Sequence, residues 1–231
     1  MKKKKKGRLG DSGSALVSVL VVTVFISIIA TTMLYVSAQN YQMKYTDYQN
    51  KQSFYGAEQA LDSLKSVLVE DVQEAYLAAY KEVMRNFLSK SAQERKEKYQ
   101  ETYLKELKRI WDERLEAAGG DPVVMMQELM KSKGVASDVA ERIYKVEGYG
   151  EFTNSSGTTV GKQFAIKGVR AMYTSGNYTT FLYTDIGITL PELDLSIDSS
   201  QSLSGSATDR RLIDLTDCVL YMNWRKADYD E

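Results

Sequence analysis

The sequence contains no histidine among its 231 residues, and this absence restricts its chemistry more than any other feature. Histidine is the usual general base of nucleophilic triads and a common metal ligand, so His-dependent triads and His-ligated metal sites are excluded. Carboxylate pairs or a Ser/Lys dyad remain possible in principle, but no motif selects two such residues. The sequence therefore predicts a protein that is not an enzyme and uses no cofactor.

Cysteine is almost as scarce, because Cys218 is the only one in the chain. A single cysteine cannot form an intramolecular disulfide. Cys218 alternates with Leu220, Met222 and Trp224, which is typical of a strand with one buried face. We expect Cys218 to be a small buried hydrophobe on a terminal strand, and an intermolecular disulfide is the alternative.

The chain also lacks an excess of either charge, with 30 basic and 31 acidic residues. Nucleic-acid binding needs a basic surface, and the lysine run at residues 2–6 precedes an apolar segment, where membrane topology explains it better. We therefore predict no nucleic-acid partner. A calcium site is a weak alternative, since the spacing of the C-terminal aspartates does not match the EF-hand pattern. These are Asp194, Asp198, Asp209, Asp214 and Asp217.

What the chain does contain is one long apolar segment near its N-terminus. Residues 12–43 include no Asp, Glu, Lys or Arg. Roughly 20 apolar helical residues are enough to cross a bilayer core of about 30 Å. Five lysines and Arg8 precede the segment and only Asp11 opposes them, so the positive-inside rule places the N-terminus in the cytoplasm. The sequence predicts a single-pass protein of the lipid bilayer with an extracellular C-terminal domain.

A cleavable secretory signal is the first alternative to a retained helix. Its apolar region usually has only about 7 to 15 residues and ends in a small-x-small cleavage site. The apolar run here is longer, and Ser37-Ala38-Gln39 matches such a site poorly. Both observations favour a retained helix.

The start of the apolar segment resembles the cleavage region of class 3 prepilins. A Lys/Arg-rich leader is followed by Gly13 and then by Ser14-Ala15-Leu16-Val17. The resemblance implies that a prepilin peptidase cuts after Gly13 and that Ser14 becomes the N-terminus, which is normally methylated. A secretory signal is instead cut after its apolar segment. The implied membrane spine includes Ala15, Leu16, Val17, Ser18, Val19, Leu20, Phe25, Ile28, Leu34 and Val36.

A second stretch resembles the minor pilins of the PilX-like group. These proteins carry Phe-x-Ala-Ala-Glu-Ala-Ala-Leu after the membrane helix, and residues 54–61 here are Phe-Tyr-Gly-Ala-Glu-Gln-Ala-Leu. The resemblance implies a type IV pilus minor pilin or pseudopilin on the cell surface. Its implied partners are other pilins and the pilus assembly machinery. The matching residues are Phe54, Ala57, Glu58, Ala60 and Leu61.

Ser18 departs from the pattern of the major pilins. Those proteins carry a glutamate as the fifth residue of the mature chain, which in this chain is Ser18. A buried carboxylate costs several kcal/mol unless it is paired. We therefore expect a minor subunit, at the initiation or the tip of a filament. The alternative is that Ser18, like Thr23 and Ser27, is a small residue that lets helices approach closely in lipid.

The pattern of the whole chain predicts an α+β fold with a long N-terminal spine helix, a helical insertion and a small antiparallel sheet. Glycine and proline are absent from residues 57–118, and a capping box at Ser91 and Glu94 predicts a helix break near residues 89–91. The predicted organisation is a basic cytoplasmic leader at 1–13, a transmembrane helix at 14–38, its exposed continuation at 39–69, the helical insertion at 70–142 and the β domain at 143–231.

Punctuating residues predict the remaining elements. One helix ends at residues 119–120, another starts at Asp121-Pro122 and stops at Gly134, and a short helix covers about residues 137–143. Three strand-like runs between Tyr144 and Leu190 form an antiparallel meander with a bulge at Gly168. A Ser-rich loop at 195–211 precedes a last strand at 212–224.

Two surface features have competing interpretations. The charge run at residues 93–98 is more simply a solvated helix face than a partner-binding surface. Tyr41, Tyr45 and Tyr48 recur at helical spacing and are expected to pack at the membrane boundary and against a helix groove, and a ligand platform is the alternative. For the protein as a whole, the alternatives to a minor pilin are an anchored extracellular binding domain that is not cleaved or polymerised, and a type II secretion minor pseudopilin.

Overall fold

The computed structural model describes residues 11–154, 161–191 and 215–227. It is an α+β protein with a long apolar helix near the N-terminus and a small antiparallel sheet. The chain divides into two units, residues 1–49 and residues 50–231. The described part of the first unit is entirely helical, whereas the second holds the other helices, the sheet and the buried core.

Helix α1 runs from Asp11 to Arg85 without interruption. The sequence prediction ended the exposed part of this helix at about Val69, and the structure moves that end 16 residues further. The reason is local: no glycine or proline occurs between Gly56 and Gly119, and apolar residues continue at helical spacing as far as Val83, which is buried. The segment at 70–85 is thus part of α1.

Within the part of the chain that the structure describes, three further helices follow a 3-10 turn at Phe87–Ser89. Helix α2 is Ala92–Ala117 and starts with the predicted capping box, in which Ser91 and Glu94 satisfy each other's backbone donors. Helix α3 is Pro122–Ser132, with Asp121 accepting hydrogen bonds from the first backbone amides. Helix α4 is only Ser137–Ala140. It is shorter than predicted because Ile143 already begins a strand.

In the described residues the sheet has five antiparallel strands: β1 (Ile143–Lys145), β2 (Gly148–Asn154), β3 (Gly161–Ser175), β4 (Tyr178–Ile188) and β5 (Val219–Ala227). The order is β1-β3-β4-β5, and β2 also pairs with β3. The predicted meander is therefore confirmed as β2-β3-β4. The predicted bulge is confirmed as well, because Gly168 has a φ of 65° and the β3-β4 register shifts between Ile166 and Val169.

The C-terminal strand differs from the prediction in its start and its phase. It begins at Val219, because Leu215–Cys218 is a 3-10 turn, and residues 212–214 of the predicted strand lie outside the described residues. Cys218 is buried as expected, but it precedes the strand. Pairing with β4 turns Val219 inward and leaves Leu220 exposed. The Ser-rich stretch at 195–211 lies outside the described residues.

A second irregularity in β5 separates Met222 from Trp224. Asn223 has a φ of 54°, in the left-handed region, and the β4-β5 register shifts between Tyr183 and Asp185. Trp224 meets Phe54 of α1, with ring centroids 5.9 Å apart. The strict alternation from Cys218 to Trp224 that the sequence predicted does not occur. Cys218 lies in a 3-10 turn and is buried together with its neighbour Val219, and the bulge shifts the phase again after Met222.

The core of the second unit lies between the helices and one face of the sheet. Trp111 of α2 is fully buried, and its ring centroid lies 5.4 Å from that of Phe164 and 5.1 Å from that of Tyr149. Helix α3 contributes an apolar cluster to this core. The buried members of this cluster are Met125, Met126, Leu129 and Met130.

Candidate membrane span and assembly surface

The first half of α1 exposes its apolar side chains in every direction. Leu34 is 73% exposed and Phe25 is 65% exposed, and Ile28 and Val36 are exposed too. It is the one helix in the described ranges that is long and apolar enough to cross a membrane by length and composition. The other predicted spine residues are also exposed: Ala15, Leu16, Val17, Ser18, Val19 and Leu20.

Several hydroxyl groups within this segment are satisfied by the helix itself. Thr23 donates to the carbonyl of Val19, Ser27 to that of Thr23, and Thr31 to that of Ser27, each at 2.8 Å. In hydrocarbon an unsatisfied polar group costs several kcal/mol, so hydrogen bonds to the preceding turn lower the cost of placing these hydroxyls in lipid. The three polar side chains are therefore compatible with a membrane span.

Gly13 and Ser14, the predicted cleavage and modification residues, lie in the first turns of α1. Their backbone is helical, and the side chain of Ser14 is outside the described part of the structure. The basic leader at residues 1–10 lies outside it as well. Cleavage between Gly13 and Ser14 stays a prediction from the sequence.

The tyrosines after the apolar segment are exposed and do not fill a groove in the first unit. Tyr41, Tyr45 and Tyr48 are each more than half exposed. The rings of Tyr41 and Tyr45 stack along the helix with centroids 6.4 Å apart. Packing of these three side chains at the membrane boundary and against a helix groove stays a prediction from the sequence.

The stretch at residues 54–61 forms the contact between α1 and the sheet. Ala57, Ala60 and Leu61 are fully buried in the core. Phe54 is half-buried against Trp224. Glu58 is half-buried at the edge of a shallow groove that α1 shares with the connection from α3 to α4. The structure therefore gives the small and apolar residues of this stretch a packing role.

Gly56 lies within the same stretch and makes a very close approach of helix to sheet. A Cβ atom at Gly56 would lie only 2.1 Å from Cδ1 of Tyr173 on β3. No side chain fits there unless the ring moves, because non-bonded carbon atoms need about 3.5 Å. The glycine at this position is therefore explained by close packing, although the helical backbone would favour alanine.

Arg142, which the sequence did not single out, stabilises the contact between α1 and β3. Its Nη1 donates to the carbonyl oxygen of Gly56 at 2.8 Å and to Oε1 of Gln59 at 3.0 Å, and its Nη2 donates to Asp138 at 2.9 Å. Its guanidinium also lies 4.2 Å from the centroid of the Tyr173 ring. One arginine thus joins α1, α4 and β3 through hydrogen bonds and a cation-π contact.

Asp71 is a second structural residue that the sequence analysis missed. It is only 1% exposed, and both of its carboxylate oxygens accept hydrogen bonds from Arg114 of α2. The sequence did contain a signal, because Asp71 falls at the helical spacing of the buried apolar stripe that includes Leu64, Leu68 and Val72. A carboxylate on the buried face of a helix requires a cationic partner, which here aligns α1 with α2.

Polar contacts also connect α1 with strands β4 and β5. The hydroxyls of Ser53 and Thr180 lie 2.7 Å apart in a buried position. Tyr221 donates to Asp62 at 3.0 Å, and burial together with the charge of Asp62 raises the pKa of this phenol. These pairs set the register of the helix on the sheet, since each polar group has a matching partner.

The charge run at residues 93–98 forms an exposed face of α2, as predicted, with one clear exception. Arg95 is buried, and its Nη1 donates to the carbonyl oxygens of Phe87 at 3.0 Å and Lys90 at 3.2 Å. The alternating charges hid this residue from sequence analysis, because nothing in the run distinguishes it from its solvated neighbours. Arg95 closes the turn between α1 and α2.

Within the described ranges, no three residues among Cys, Asp and Glu come together as metal ligands. Of the aspartates considered for calcium, Asp217 lies exposed in the 3-10 turn. The other four, Asp194, Asp198, Asp209 and Asp214, lie outside the described residues.

Comparison of the chain with protein families, with curated proteins and with solved structures finds no match in any of the three. Functional inference therefore depends on the sequence and on two features of the geometry. One is an exposed apolar helix that requires a lipid or protein environment, and the other is a compact α+β unit that contains the continuation of the same helix.

Proposed function

We propose that this chain is a minor pilin-like structural subunit of a type IV pilus-like filament. In this proposal a prepilin peptidase cleaves after Gly13, and the apolar half of α1 holds the subunit in the bilayer before assembly. After assembly the same segment packs against other pilins. The observation that carries the proposal is the exposed apolar helix, which follows a basic leader directly and continues into the helix that packs on an antiparallel sheet.

The packing of residues 54–61 adds support. The small residues Gly56, Ala57 and Ala60 let α1 approach the sheet closely, and Leu61 fills the core behind them. The residues that resemble the PilX-like stretch are therefore the ones that join α1 to the sheet.

The decisive experiment is mass spectrometry of the protein's N-terminus in its native cell, with and without the prepilin peptidase. The proposal expects a chain that starts at a methylated Ser14 when the peptidase is present and an intact leader when it is absent. An intact Met1 in both cells would instead indicate an anchored binding domain that is never cleaved. A terminus beyond Val36 would indicate a secretory signal.

The proposed low copy number rests on Ser18, which replaces the glutamate of major pilins. Counting copies per filament for the native chain and for Ser18→Glu tests it, with Ser27→Glu as a matched control elsewhere on the span. Sparse incorporation of the native chain that rises with Ser18→Glu alone is the expected result. Abundant incorporation of the native chain would contradict a minor role.

A type II secretion pseudopilin would share the same cleavage and the same span. Deletion of the gene separates the two assignments: loss of surface pili supports the pilus, whereas loss of protein secretion with intact pili supports the pseudopilus.

A further inference from the structure

A buried arginine bridges the turn between α1 and α2. Arg95 donates to two carbonyl oxygens of the turn, and its guanidinium lies 4.1 Å from the centroid of the Phe87 ring. The capping box of Ser91 and Glu94 closes the other end. Hydrogen bonds to its carbonyls and a cation-π contact give this turn more support than solvent-exposed turns require.

The residue that this turn presents is a leucine. Leu88 is 85% exposed, which exceeds the exposure of Leu34 in the apolar segment. Met84, in the last turn of α1, is 40% exposed. An exposed leucine contributes nothing to the core, so the support around it does not serve to bury it. The turn therefore presents Leu88 and Met84 to the surroundings, and these two side chains form the apolar tip.

Cations flank this tip in the sequence. Residues 81–97 contain five Lys and Arg residues and three Glu residues, whereas the whole chain has a formal net charge of -1. Arg95 is buried in the turn and Arg85 pairs with Glu82 at 3.2 Å, so the cations left to bind a ligand are the three lysines of this stretch. An apolar side chain with a cationic rim is the combination that binds the interface of an anionic bilayer.

We propose that the turn between α1 and α2 inserts Leu88 into the surface of an anionic lipid bilayer. Lys81 and Lys90 contact the phosphate groups, and Met84 adds apolar contact at the same side. A protein pocket would also accept Leu88, but the excess of cations around the turn favours phosphate-rich lipid. The inference goes beyond the proposed filament function and does not depend on cleavage or assembly.

The test uses the full chain, held by its own apolar helix in nanodiscs of phosphatidylcholine. These nanodiscs are floated with vesicles of phosphatidylcholine alone or of phosphatidylcholine mixed with phosphatidylglycerol. We expect flotation with the mixed vesicles only, and a roughly tenfold loss of binding for Leu88→Asn, as expected when a leucine no longer enters hydrocarbon. Leu220→Asn, at an exposed leucine of β5, is the matched control and should bind normally.

A charge variant tests the second half of the proposal. Lys81→Gln combined with Lys90→Gln should weaken flotation several-fold, since each cation near an anionic surface contributes to binding, and added salt should act in the same direction. Lys105→Gln with Lys108→Gln on α2 is the control. Equal flotation with both vesicle types, or normal flotation of Leu88→Asn, would overturn the proposal. Absence of flotation of the native chain would do so too and would favour a protein pocket as the partner.

Discussion

The two halves of α1 place the same kinds of side chain in opposite environments. In residues 15–36 the large apolar side chains are all exposed, whereas in residues 57–83 most of them form a stripe that is buried under other elements. The secondary structure is identical, and the difference lies in the pattern: continuous apolar sequence in the first half and a period of about 3.6 in the second. A continuous pattern needs an apolar surrounding on all sides, but a periodic pattern needs one partner surface.

The largest expected difference between the two halves is in unfolding free energy, when one phenylalanine in the core and one in the apolar half of α1 are each truncated. Phe164 is fully buried against Trp111, so Phe164→Ala should cost about 3 to 5 kcal/mol of unfolding free energy. Phe25→Ala, at a side chain that is 65% exposed, should leave this free energy unchanged. Chemical denaturation of the full chain in detergent, followed by tryptophan fluorescence, measures both. Equal losses in the two variants would mean that the apolar half of α1 is folded into the core.

A charge placed in the apolar half should act on membrane insertion instead of folding. Ile28→Asp should cost about 2.5 to 3.5 kcal/mol of insertion free energy, because a carboxylate near the centre of a span loses its hydration. The fraction of chain that resists alkaline extraction from membranes measures this loss. Leu220→Asp, at an exposed leucine of the second unit, is the control and should insert normally. Normal insertion of Ile28→Asp would contradict the assignment of a span.

A methyl group at the junction of α1 and β3 should have an intermediate effect. Gly56→Ala would gain about 1 kcal/mol of helix propensity at most. Its Cβ, however, would lie 2.1 Å from the Tyr173 ring. Overpacking of this kind costs about 1 to 3 kcal/mol, so we expect a net loss of unfolding free energy. Gly150→Ala is the matched control, since a Cβ there meets nothing within 4 Å. An increased unfolding free energy of Gly56→Ala would show that the Tyr173 ring moves aside at little cost in free energy.

The smallest expected effect concerns pH and a single phenol of the second unit. Burial, aided by a hydrogen bond to Asp112, raises the pKa of Tyr149 to about 12 from the ordinary value of 10.0. The folded protein therefore holds this proton more tightly than the unfolded chain. The resulting stabilisation is complete below pH 10.0 and is lost as the pH rises from there toward 12.

Replacing Tyr149 with phenylalanine removes this ionisation and tests the pKa. The difference between the absorbance titrations of the native chain and Tyr149→Phe should show one tyrosine that ionises near pH 12. Unfolding free energies of the two chains should converge over the same pH range. A difference titration centred near pH 10.0 would contradict the raised pKa.

Local signals in the sequence predicted several elements correctly. The capping box at Ser91 and Glu94, the N-cap at Asp121 and the bulge at Gly168 each depend on residues close to one another in the chain. Such features are determined by backbone hydrogen bonds that neighbouring side chains satisfy and by local backbone preference. The sequence therefore contains the information for them without reference to the rest of the fold.

Features that depend on distant partners were missed or misplaced. Asp71 is buried because Arg114 lies opposite it, 43 positions along the chain, and Arg142 bonds to Gly56 across 86 positions. The face that Leu220 occupies depends on pairing with β4. Periodicity within a strand cannot reveal a bulge whose position is decided by its neighbour.

Three properties follow from the hydrophobic pattern of the sequence. Residues 12–43 form an apolar segment without charged side chains, α1 continues beyond them, and helices precede the antiparallel strands. Hydrophobic pattern suffices for these properties, because they depend on transfer of side chains from water and on local backbone preference. Three other features can be read only from the folded chain: Gly56 lies under Tyr173, Arg95 donates hydrogen bonds to a turn, and Leu88 is exposed. These depend on which distant groups meet, and hydrogen bonds and close packing select them only after the elements have come together.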